Sequence, residues 1–72
     1  MTNISYALPI SSEVSLIIYN ILGKEVARLV DGFQSAGEYQ SEWNASNVSS
    51  GIYFYRLRSG NVVQTRKMVL LK

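Results

Sequence analysis

The sequence contains neither cysteine nor histidine, and these two absences remove most of the chemistry a small domain could carry. Without cysteine there is no disulfide framework and no thiolate chemistry. Without histidine the usual base of a serine triad is missing, and with it the commonest partner of cysteine in zinc and transition-metal sites. Pro9 is the single proline in 72 residues. No apolar run approaches the roughly 20 residues of a membrane-spanning helix, and the start, Met1-Thr2-Asn3, lacks the basic and apolar regions of a secretory signal peptide. Charge is sparse as well: seven Lys and Arg against five Asp and Glu leave a net +2. Arg56, Arg58, Arg66 and Lys67 are the candidates for a basic patch, and they read better as a solvated strand face than as a nucleic-acid footprint, which needs clustered positive charge. A domain of this size buries only about 60% of its unfolded surface, so export into a non-reducing compartment would leave its fold held by burial alone.

What the chain does have is alternation. Residues 3–8 set Ile4, Tyr6 and Leu8 between small or polar neighbours, the pattern of a strand with one buried face, which Pro9 ends. Residues 13–19 place Val14, Leu16 and Ile18 on one side and Ser15, Ile17 and Tyr19 on the other, as a central strand would. A turn at residues 20–24, with Gly23 supplying positive φ, leads to a short strand over residues 25–30. Asp31-Gly32 reads as a turn, extended as a loop through Gly37. In residues 38–44, Tyr39, Ser41 and Trp43 share a face opposite Glu38, Gln40, Glu42 and Asn44. A polar connection over residues 44–50 then reaches the strongest strand, Ser50-Gly51-Ile52-Tyr53-Phe54-Tyr55-Arg56-Leu57, followed by a turn at Ser59-Gly60-Asn61 and a return segment ending at Lys72. About six to seven short strands with turn clusters every 8 to 12 residues predict an all-β antiparallel sandwich packed on this terminal hairpin.

Few residues suggest chemistry. Glu38 and Glu42 are the best carboxylate pair, yet four strand positions separate them by roughly 13 Å, beyond the roughly 5 to 9.5 Å of glycosidase pairs. Trp43 with Tyr19, Tyr39, Tyr53 and Tyr55 could form an aromatic platform for sugar rings, or could simply fill a core that has no disulfides to support it. Asn3, Asn44 and Asn47 match the glycosylation pattern, which recurs by chance in Asn and Ser rich loops.

Several segments, in order, carry a resemblance: Ile4-Ser5-Tyr6-Ala7-Leu8-Pro9, then residues 14–26 with Tyr19-Asn20-Ile21-Leu22-Gly23-Lys24, then Gly37-Glu38-Tyr39 and Trp43, residues 50–57, and the closing Lys67-Met68-Val69-Leu70-Leu71-Lys72. This series resembles the C-terminal sorting domains of the type IX secretion system of Bacteroidetes and related bacteria. The resemblance implies an immunoglobulin-like β-sandwich at the end of a larger secreted enzyme or adhesin. Such a domain takes its N-terminal cargo from the periplasm through the outer-membrane translocon to the surface or the medium. A sortase-like signal peptidase then removes the domain and links the cargo to lipopolysaccharide. The domain would thus be ligand and substrate, not catalyst, with no cofactor, metal or nucleic acid. Gly51, Tyr53, Lys67, Met68, Val69, Leu70, Leu71 and Lys72 are the residues expected to be read by translocon and peptidase. The family's Asn-Pro lead-in is missing, so residues 1–72 are expected to be one domain excised from a longer protein, with Met1 and Thr2 an added start. An incomplete first strand would then expose an edge for pairing between copies. Asn44 stands where many members carry an acidic residue.

Two other readings stay open. One is a carbohydrate-binding module on a secreted hydrolase, with Trp43 and the tyrosines as platform. The other is a structural immunoglobulin-like spacer.

Overall fold

The computed structural model describes residues 2–71. Among them run six strands: β1 (Thr2–Leu8), β2 (Ser12–Asn20), β3 (Glu25–Gln34), β4 (Gly37–Trp43), β5 (Gly51–Ser59) and β6 (Val62–Leu70). They form two antiparallel sheets facing each other as a sandwich, β1 with β4 and the four-stranded order β3-β2-β5-β6.

The central pair of the larger sheet is the pair whose sequence is apolar on both sides. Val14, Leu16 and Ile18 of β2 are between 0 and 2% exposed, and Leu16 and Ile18 lie opposite Leu57 and Tyr55 of β5. From the smaller sheet, Ile4, Leu8 and Trp43 close over them, and Ala45 from the following loop completes the core. Ile17 points to the outer face yet is buried. Its cross-strand neighbours are Arg28 and Arg56, long side chains of the kind that cover apolar surface with their stems.

Strand β3 differs from the sequence expectation. Asp31 and Gly32 do not turn the chain; they continue the ladder opposite Ser15 and Val14, and β3 pairs on as far as Gln34 opposite Ser12. The length of β2 decides this, because it offers ladder partners for four residues beyond Val30, and a paired backbone group outweighs local turn propensity. The chain reverses instead at Ser35-Ala36. There the Ala36 N–H donates to Ser11 Oγ at 2.9 Å and the Tyr39 hydroxyl donates to the Ser35 carbonyl at 2.5 Å. Strand β5 also runs two residues past Leu57, leaving a tight turn at Gly60-Asn61.

The β2–β3 turn is built from its own side chain. Asn20 Oδ1 accepts from the N–H groups of Leu22 and Lys24, both at 2.9 Å, and Gly23 supplies the expected positive φ of 83°.

Candidate functional site

The terminal hairpin, β5 and β6, places six of the eight expected recognition residues on two faces. Gly51, Tyr53, Met68 and Leu70 pair as Gly51 with Leu70 and Tyr53 with Met68 on the side that packs towards the core. Lys67 and Val69 lie opposite Phe54 and Ile52 on the outer side, where both are exposed, and Leu71 beyond the strand is 84% exposed. Lys72 lies outside the described residues.

Tyr53 is buried, with two structural roles. Its ring meets Trp43 edge-on at 5.3 Å between centroids and 70° between planes. Its hydroxyl donates to the Ser49 carbonyl, four residues upstream, at 2.7 Å. Immunoglobulin sandwiches use a tyrosine in this way to fix the corner entering a central strand. Here it ties the loop of residues 44–50 to β5, and the Asn44 side chain turns the same loop by accepting from the Ser46 N–H at 3.1 Å. Gly51 opens the strand at φ 153°, with no atom within 4 Å of where a Cβ would sit. Its constraint is backbone conformation, not space.

Met68 and Leu70 are half-buried against the core. The rest of β6 is exposed, and the side of β6 away from β5 has no ladder partner among the described residues. The hairpin thus offers an open backbone edge beside exposed Lys67 and Val69, on a strand whose other side is anchored.

The aromatic residues do not form a platform. Trp43 is 4% and Tyr53 8% exposed, Tyr6 and Tyr39 stack on each other at 5.4 Å, and Tyr19 lies on the outer face under the Arg56 guanidinium at 5.2 Å. Burial in a core without disulfides claimed the largest rings. The basic residues are split too, since Arg56, Arg58 and Lys67 face outwards and Arg66, opposite Tyr55, faces inwards. All four are exposed.

Among the described residues ion pairing is confined to Arg28, which donates to Glu25 at 3.1 Å and Asp31 at 3.3 Å along its own strand. The hydrogen bond to Glu25 and then that residue's charge raise the Arg28 pKa above its ordinary value. Among the described residues no group of three or more Asp and Glu could hold a metal ion, and no helix is long and apolar enough to cross a membrane. Glu38 and Glu42 both point to solvent from the outer face of β4.

Sequence reasoning missed the Tyr53 to Ser49 tie and the turn role of Asn44. The signal was present as a tyrosine near the start of a strand after an Asn and Ser rich loop.

Searches of curated proteins and of solved structures found no match. One family model, described as the secretion system C-terminal sorting domain, matches residues 1–71. With its hairpin-centred sandwich and that match across nearly the whole sequence, the chain belongs to the secretion system C-terminal sorting domain family.

Proposed function

We propose that this domain is the terminal export address of a larger secreted protein, read on its last hairpin by the type IX outer-membrane translocon. A sortase-like signal peptidase then removes it and links the cargo to the cell surface. The domain passes through the periplasm and serves as ligand and substrate, with its cargo attached on the N-terminal side.

What supports this reading is the open edge of β6 in a domain of the sorting family. A translocon that exports many cargoes needs a signal with low demand on side chains, and an unpaired strand edge provides backbone hydrogen bonds with few specific contacts. Recognition then falls on the exposed residues Lys67, Val69 and Leu71 with Lys72, while Gly51, Tyr53, Met68 and Leu70 hold the edge in position.

Lys67→Glu with Val69→Glu changes the exposed side only. The pair should leave the circular dichroism spectrum and melting temperature nearly unchanged and abolish export of a fused reporter. Full export by the folded double variant would take the Lys67 and Val69 side chains out of the recognition.

A further inference from the structure

The two sheets differ in width, and the mismatch leaves a groove. Val62, Gln64 and Arg66 of β6 lie opposite Ser59, Leu57 and Tyr55, on the side that faces the smaller sheet, yet all three are exposed. Across from them runs the side of β1 that lacks a ladder partner. The space between is a cavity of about 450 Å³ lined by Ser5, Tyr6, Ala7, Tyr55, Gln64 and Arg66. It adjoins a mainly apolar pocket of about 170 Å³ whose lining includes Leu8, Pro9, Leu57 and Val62 beside Ser59 and Gln64.

Three of the four sheet edges carry charge. Strand β3 has Glu25, Arg28 and Asp31, β4 has Glu38 and Glu42, and β6 has Arg66 and Lys67; β1 has none. Charged residues are a common protection of an edge against unwanted pairing, and β1 lacks it. Arg66, exposed beside this edge, has no carboxylate partner among the described residues.

We propose that the groove is a strand-accepting site for an acidic, extended segment of a partner protein. The segment pairs with the free edge of β1, sets a carboxylate against Arg66, and places an apolar side chain two residues away in the pocket beside Leu8. Residues facing each other across a ladder share a face. A partner residue opposite Tyr6 therefore points inwards towards Arg66, and one opposite Leu8 towards Val62 and Leu57. Backbone pairing supplies affinity and the two inward side chains supply selection. A second copy is a poorer occupant, because β1 carries no acidic residue and a twofold β1 pairing would leave both arginines without a partner. The proposal stands apart from the export reading, and its test involves no export.

The test is a titration of the nitrogen-15 labelled 72-residue chain with a blocked octapeptide of alternating valine and threonine bearing one inward glutamate. Glutamine and lysine versions serve as controls. The glutamate peptide should shift amides of Ser5, Tyr6, Ala7, Gln64 and Arg66 and slow exchange along β1. The glutamine version should bind roughly three- to fivefold more weakly, the range of a partly exposed ion pair. Arg66→Glu should reverse the order and favour the lysine peptide. The three peptides on the unchanged domain give an independent reading should that variant fold poorly. No shifts at millimolar peptide, shifts confined to the edges of β3, β4 or β6, or equal binding of all three versions would overturn the proposal. So would β1 shifts that appear with protein concentration alone, or groove amides already protected when the domain is fused behind a cargo linker.

Discussion

Removing the Tyr53 hydroxyl separates the structural from the recognition role of the last hairpin. Tyr53→Phe deletes the 2.7 Å hydrogen bond to the Ser49 carbonyl and keeps the ring against Trp43. Ser49 is exposed, so water can take over its carbonyl, and the loss should be that of one ordinary hydrogen bond, about 1 kcal/mol. In a domain of this size that lowers the melting temperature by about 4 to 8 °C. Tyr53→Ala also removes a ring that is 8% exposed and paired edge-on with Trp43. Truncation of a buried aromatic costs about 3 to 5 kcal/mol, comparable with the whole stability of a small domain, of the order of 5 kcal/mol. Thermal and urea unfolding followed by circular dichroism measure both. The expected order is a mildly weakened Tyr53→Phe that still exports its cargo and a largely unfolded Tyr53→Ala that does not. Equal stability of Tyr53→Phe and the unchanged domain would refute the corner assignment. Loss of export in a stably folded Tyr53→Phe would mean that the translocon reads this hydroxyl directly.

Other substitutions follow from the same geometry. Gly51→Ala, at φ 153° with open space around it, should destabilise by about 1 kcal/mol or more through backbone strain, and its export should fall only as far as its folded fraction in a denaturation curve. Leu16→Ala, at 0% exposure, should cost about 2 to 5 kcal/mol and leave little cooperative melting. Leu22→Ser, at 89% exposure on the β2–β3 turn, should melt within about 0.5 kcal/mol of the unchanged domain. In a pull-down on insoluble polysaccharide the domain should stay in the supernatant, because Trp43 and Tyr53 are in the core; retention would restore the sugar-binding reading.

The fold was legible wherever burial follows a period of two. Ile4, Tyr6 and Leu8, then Val14, Leu16 and Ile18, and then Tyr39, Ser41 and Trp43 take the inner positions their alternation assigned, because one wet and one dry face leave no other register. Asp31-Gly32 misled, since its turn propensity is local while the ladder opposite Ser15 and Val14 is set by β2. Ile17 is buried on the outer side, as a central strand apolar on both sides requires, although the register of β2 against β3 shifts between Leu16 and Ile17. Within the hairpin, Met68 and Leu70, expected among the residues read by the machinery, are half-buried against the core. The burial of Tyr53 was not evident, because a tyrosine in an alternating strand serves a core or a surface equally well. The groove beside β1 depends on which strands share a sheet, and no local pattern encodes the difference in width between the two sheets.

The most direct test of the sorting role is a localisation assay in a bacterium with a working type IX system. A fluorescent reporter bearing a signal peptide is fused to the N-terminal side of residues 2–72, and surface, medium and periplasmic fractions are compared with and without the translocon. An autonomous address predicts reporter at the surface or in the medium, lost when the translocon is inactivated. Retention of the reporter in the periplasm, with the domain folded and the translocon active, would contradict it.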